Sequence, residues 1–156
     1  MKQNSTVKEK SLNPQTNSRS SQQAAVTDEK LDERIITAVQ AAAEKKAIDI
    51  VVLDLREIAT FTDYFIITSG TNERQVQAIS DEVYETLKKA GSTAARVEGY
   101  KTAEWILLDY GDFIVHVFEQ KSRKFYDLER LWRESKRVAL PADITAAVPG
   151  SLRRES

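Results

Sequence analysis

Residues 105–118 read WILLDYGDFIVHVF, two apolar runs interrupted by the polar break Asp109-Tyr110-Gly111-Asp112. Trp105–Leu108 and Phe113–Phe118 predict two antiparallel strands joined by a tight turn, in which Gly111 can take a positive φ. Alternation along the first strand puts Trp105, Leu107 and Asp109 on one face and Ile106, Leu108 and Tyr110 on the other. The second set is a sound core face. The first mixes an indole with a carboxylate and follows Glu98, Lys101 and Glu104. That is the composition of a partly wet surface, with an aromatic of the type enriched at interface hot spots. Two roles are open to Trp105, core anchor and partner anchor.

Outward from the hairpin, the pattern alternates strands with amphipathic helices. Thr27 or Asp28 can cap a first helix carrying Leu31, Ile35, Val39 and Ala42 or Ala43 at helical spacing. Ile48–Leu55 (IDIVVLDL) reads as a strand whose apolar run suits a sheet covered on both faces, and Tyr64–Thr68 (YFIIT) reads as a second. Ser69-Gly70-Thr71-Asn72 is a turn signal, and Asn72 with Gln75 fits a capping box. The helix it opens lines up Val76, Ile79, Val83 and Leu87, and Gly91 is placed to end it. A short strand near Ala94–Val97 precedes the hairpin. Lys121–Trp132 reads as one further helix with Phe125, Leu128 and either Leu131 or Trp132 on one face. The expectation is a single α/β domain, a mixed sheet of about five strands flanked by helices. It spans residues 27–132, between a polar, disordered leader at 1–26 and a peripheral tail at 133–156.

Composition narrows the chemistry. The chain has 156 residues, no cysteine and a single histidine, His116. Disulfides, thiolate nucleophiles and thiolate metal sites are therefore excluded, and a histidine-based zinc site within one chain is nearly so. No apolar run approaches the roughly 20 residues of a membrane helix, and the N-terminus lacks a secretory core. A cytoplasmic protein is expected in preference to an organelle-targeted one. The net charge of −1 hides an asymmetry: +3 over residues 1–26, −6 over 27–132 and +2 over 133–156. An acidic body argues against generic binding to phosphate backbones and is compatible with a basic protein partner, while either basic tail could touch nucleic acid unaided; direct sequence-specific nucleic-acid binding is not expected.

Individual motifs have weak catalytic content. Ser69–Asn72 follows a strand and opens a helix, the position of an anion site. It lacks the further glycines of a dinucleotide loop and the Gly-Lys-Ser/Thr ending of a P-loop, and a turn plus helix cap accounts for every residue type in it. Asp109 and Asp112 flank a glycine turn, where Asp is common for local bonding, and neither they nor Asp63 assemble with a base or nucleophile. His116 alternates with Val115 and Val117, as a strand histidine does. Trp132 reads as packing. No cofactor or metal is implied.

Several segments together resemble one family: Asp54-Leu55-Arg56, TDYFIITSGTNERQVQAIS at 62–80, Glu98-Gly99, EWILLDYGDFIVHVF at 104–118 and RKFYDLERLW at 123–132. Their order and spacing are similar to the ribosomal silencing factor, or Iojap-like, family. The resemblance implies an α/β fold with a nucleotidyltransferase-like shape that lacks paired catalytic carboxylates. It implies a non-enzymatic translational repressor. The implied partner is a protein of the large ribosomal subunit, the fourteenth, at the intersubunit face, where occupancy blocks joining of the small subunit in starvation. Homodimers in some settings are also implied. The alternatives are a large-subunit assembly factor using the same surface and a nucleotide-binding enzyme using Ser69–Asn72. The resemblance places the partner contact on Trp105. Around it the residues point to Glu98, Glu104, Leu107 and Asp109, with Tyr100 and Lys101 as a rim and Arg74 and Tyr110 as outer candidates.

Overall fold

Helical spacing and strand alternation resolve into the order α1 (Glu33–Glu44), β1 (Ile48–Asp54), β2 (Tyr64–Gly70), α2 (Glu73–Lys89) and β3 (Arg96–Glu98). There follow β4 (Trp105–Asp109), β5 (Phe113–Glu119), α3 (Gln120–Tyr126), α4 (Leu128–Leu131) and β6 (Lys136–Arg137). The structure, a computed structural model, describes residues 31–142. The leader and the capping candidates Thr27 and Asp28 lie outside the described residues.

The six strands form one mixed sheet in the order β3-β4-β5-β2-β1-β6. β2 and β5 pair in parallel, Tyr64 opposite Phe113 through Gly70 opposite Glu119, and all other neighbours are antiparallel. These two central strands are buried along almost their whole length, as expected for strands covered on both faces. On one face lie Val52, Ile66, Val115, Val117, Ile106 and Leu108, all buried. Helices α1 and α2 pack across this face. The expected stripe Val76, Ile79, Val83 and Leu87 is fully buried. Asn72 caps α2 by accepting from the Gln75 amide at 2.8 Å. The reciprocal bond falls one residue early, on the Thr71 N–H rather than that of Asn72 (2.7 Å). Gly91 follows the helix in the left-handed region, φ 97°, as its position predicted.

The opposite face carries Leu53, Phe65, Ile67, Ile114 and Phe118, packed with Leu55 and Leu128, and Val51, Trp105, Leu107 and Trp132 close over this cluster half-buried. The C-terminal elements that cover it differ from expectation in two ways. The single helix over Lys121–Trp132 is two, because Asp127 takes a left-handed conformation (φ 48°) that ends α3. Helical phase restarts there, so Leu128 is buried while Phe125 (80% exposed) and Leu131 (69%) face solvent. The sheet also has six strands rather than about five. Lys136 and Arg137 join its edge by pairing with Asp54 and Leu53, through backbone alone and without any apolar alternation to announce them.

One side chain fastens this C-terminal segment. Arg123 donates from Nε and Nη2 to the Glu129 carboxylate (3.1 and 3.2 Å). From Nη1 it donates to the Ile48 carbonyl and Ser69 Oγ (both 3.1 Å), and from Nη2 to the Asp49 carbonyl (2.9 Å). Every donor of a guanidinium is accounted for. The accepting carbonyls are available because β1 bulges at Asp49, which has φ 48° and interrupts the register between Ile48 and Val51. Among the described residues no helix is long and apolar enough to cross a membrane.

Candidate partner-binding surface

The hairpin forms as its sequence predicts, with Gly111 at φ 87° and Asp109 Oδ1 accepting from the Gly111 amide at 2.8 Å. Its register sets Trp105 opposite Phe118, Leu107 opposite His116 and Asp109 opposite Ile114. Trp105 is half-buried, its ring centroid 4.9 Å from Phe118 and 4.7 Å from Tyr126. The indole Nε1–H donates to His116 Nδ1 at 3.0 Å. The indole is therefore fixed in orientation as well as packed. Leu107 continues the apolar strip toward β3, where Glu98 stands opposite Leu107 and Arg96 opposite Asp109. The Arg96 guanidinium bridges Glu98 (2.8 Å) and Asp109 (3.1 Å). Two carboxylates sharing one cation leave the rim of this strip acidic.

His116 is the buried hinge of the arrangement. Because Nδ1 accepts the indole proton, a neutral ring carries its own proton on Nε2, which is buried without a hydrogen-bond partner among the described residues. Burial lowers the His116 pKa to about 3. The unfolded chain takes up this proton near the ordinary value of about 6.5 while the folded chain refuses it. Stability is thus complete above pH 6.5 and falls as the pH drops toward 3. Between pH 7 and pH 5 the expected loss is about 2 kcal/mol, read from urea denaturation at the two values. His116→Gln removes that difference; a difference that persists in the variant assigns it to another group.

The loop before Trp105 is rigidly built. Gly99 has φ 80°, and a Cβ there would stand 2.0 Å from the Trp105 carbonyl oxygen. Ala103 is buried at φ 55° and returns its amide to the Gly99 carbonyl at 3.0 Å. The Tyr100 hydroxyl donates to Asp81 on α2 (3.1 Å), a bond that raises the phenol pKa. Gln77 donates to the Tyr100 carbonyl (2.9 Å).

The structure therefore brings Trp105, Leu107, Glu98 and Asp109 to one face, with Tyr100, Lys101 and Glu104 on the adjoining loop. Two candidates stand elsewhere. Tyr110 lies on the core side, 8% exposed and stacked on Phe113 at 4.9 Å; burial pushes its phenol up to about 12. Alternation had already assigned it to that side. Arg74 is exposed in the first turn of α2, in the layer behind the sheet. Sequence reasoning missed the aromatic neighbours of Trp105, namely His116, Phe118 and Tyr126. The first two were accessible: counting back from a turn centred on Gly111-Asp112 sets Leu107 against His116 and Trp105 against Phe118. The row continues through Phe65, 4.3 Å from His116, to Trp132 and the exposed Phe61. Trp132 packs, as expected.

The polar groups of the Ser69–Asn72 turn are taken up internally. Ser69 Oγ accepts from Arg123, Thr71 donates to Gln75 from both its amide and its hydroxyl, and Asn72 holds the helix cap. Asp112 pairs with Arg34 at 2.9 Å, and its carbonyl accepts from the Asp63 amide at 2.9 Å. Both roles are structural. Among the described residues no three His, Cys, Asp or Glu side chains gather as a metal set.

Known proteins resemble the chain in both sequence and fold. A family model described as "Ribosomal silencing factor during starvation" matches residues 27–155. The chain is 41% identical over 108 residues to the ribosomal silencing factor of Halalkalibacterium halodurans, covering 69% of this chain and 92% of that protein. With the Bacillus subtilis factor it shares 38% over 107 residues, 67% of this chain and 91% of the other. It is also 31% identical to the mouse protein named "Mitochondrial assembly of ribosomal large subunit protein 1", over 60% of this chain and 42% of that one. A crystal structure from Chromobacterium violaceum superposes with a TM-score of 0.64 at 35% identity, covering 67% of this chain and 87% of the other. One from Bacillus halodurans gives 0.63 at 41%, covering 69% and 98%. In fold, in sequence and over most of its length, the chain belongs to the ribosomal silencing factor family.

Proposed function

We propose that this chain is a non-enzymatic factor that docks its Trp105 face on a basic protein of the large ribosomal subunit, the fourteenth, at the intersubunit face. Bound there, it blocks joining of the small subunit by occupying the space and so represses translation in starvation. The observation that carries the reading is the half-buried Trp105–Leu107 strip, rimmed by Glu98 and Asp109 and oriented by His116. A large aromatic presented at a desolvatable centre, with acids around it, suits a basic partner. A central interface aromatic contributes at least about 2 kcal/mol, roughly thirtyfold in affinity. Trp105→Ala is expected to lose about that much in co-sedimentation with purified large subunits, and with it the block on subunit joining, while circular dichroism stays native. A folded variant that co-sediments undiminished rules out this face. The name of the mouse relative supports a second reading, large-subunit assembly through the same surface. Depletion in rich medium decides between them: immature large particles support assembly, and normal particles support starvation control.

A further inference from the structure

Helix α3 presents a stripe that neither the core nor the Trp105 strip uses. Lys121, Lys124 and Phe125 stand at i, i+3 and i+4, so they share one side of the helix. Both lysines are exposed. Phe125, 80% exposed, is the most exposed large apolar side chain among the described residues. Its ring is not loose: it meets Tyr126 edge-on, at 5.0 Å and 90°, and Tyr126 in turn rests on Trp105. The inward side of the helix is held by Arg123, which keeps the stripe turned to solvent. Charge divides along the chain in the same sense. Residues 33–119 carry −6, whereas residues 120–137 hold seven basic against three acidic groups, a net of +4.

We propose that this stripe binds single-stranded RNA without sequence preference, Lys121 and Lys124 taking phosphates and the Phe125 ring stacking on a base. A braced aromatic beside two cations that have no ion pair among the described residues suits such a site, because every base has a π face and every nucleotide a phosphate. A lipid surface is less well matched, since an interfacial helix buries a continuous apolar side and α3 offers one ring on seven residues. The acidic Trp105 face and the basic α3 stripe adjoin through Tyr126, so one approach can engage a basic protein with the first and RNA with the second.

The test uses the full chain and a fluorescent oligouridylate of about twelve nucleotides, followed by anisotropy across a salt series. The wild type is expected to bind at low salt and to weaken as salt rises. Lys121→Gln with Lys124→Gln reduces the slope of log affinity against log salt by about 1.4, two single-strand phosphate contacts. Phe125→Ala weakens binding by on the order of tenfold at every salt concentration. No binding by the wild type at low salt overturns the proposal. So does a slope unaltered in the lysine variant, or a Phe125-dependent attachment to phosphatidylserine vesicles in place of RNA.

Discussion

Gly99→Ala loses about 3 kcal/mol or more of folding stability, together with the loop that leads into Trp105. Two costs combine. A side chain at φ 80° sits in the left-handed region, unfavourable by about 1–2 kcal/mol. The new Cβ also meets the Trp105 carbonyl oxygen at 2.0 Å, a backbone atom that cannot swing aside as a side-chain tip can. Relief requires the Glu98–Trp105 loop to move, and the pairing of Glu98 with Leu107 moves with it. Gly91→Ala is the internal control. Gly91 has φ 97° and nothing within 4 Å of its added Cβ, so only the conformational cost remains, about 1 kcal/mol. Urea denaturation of the two variants measures the difference. Equal losses show that the contact at Gly99 relaxes freely, and that the loop is not the rigid mount described above.

Arg123→Met is expected to destabilise the fold by about 3 kcal/mol, because it withdraws a charged donor from four acceptors at once, of which the Ile48 carbonyl keeps the Thr68 hydroxyl and Glu129 keeps Arg137. The carbonyls of Ile48 and Asp49, the Ser69 hydroxyl and the Glu129 carboxylate each lose a donor at once. The damage is expected to be local before it is global. Amide hydrogen exchange over residues 120–137 accelerates while the amides of β2 and β5 stay protected. Arg123→Lys recovers little, since an ammonium cannot present a fork to four groups. Unchanged exchange in the methionine variant shows that Leu128 and Trp132 hold the segment by packing alone.

Much of this was legible in the sequence because period-two and period-3.6 patterns report burial directly. The α2 stripe and the alternating first strand of the hairpin are apolar sets that one face must hide, and the continuous runs at Ile48, Tyr64 and Phe113 mark strands covered on both faces. What was not legible lacks such a pattern. The break at Asp127 is a backbone event that Asp tolerates but does not announce; Phe125 faces solvent instead of the core, and of the two alternatives at the helix end Trp132 packs while Leu131 is exposed. The adjacent pair Phe125-Tyr126 carried a partial warning, because one helix side cannot bury neighbours in sequence. Strand β6 pairs through its peptide groups, so Lys136 and Arg137 could not reveal it. At the candidate surface, alternation correctly separated Trp105, Leu107 and Asp109 from Ile106, Leu108 and Tyr110. The indole–imidazole bond needed the strand register as well.

The parallel pairing of β2 with β5 has a bearing on how the chain is made. β2 leaves the ribosome well before its central partner, with α2, β3 and β4 still to be synthesised between them. During that interval the nascent chain carries the apolar run Tyr64-Phe65-Ile66-Ile67 with one edge covered at most by β1. The hairpin β4–β5 closes quickly from local contacts, whereas docking β5 on β2 must wait for a long loop to shut. The sheet centre is therefore a late event in biosynthesis, and an emerging chain stalled before Phe113 offers an open edge to chaperones and to other nascent chains.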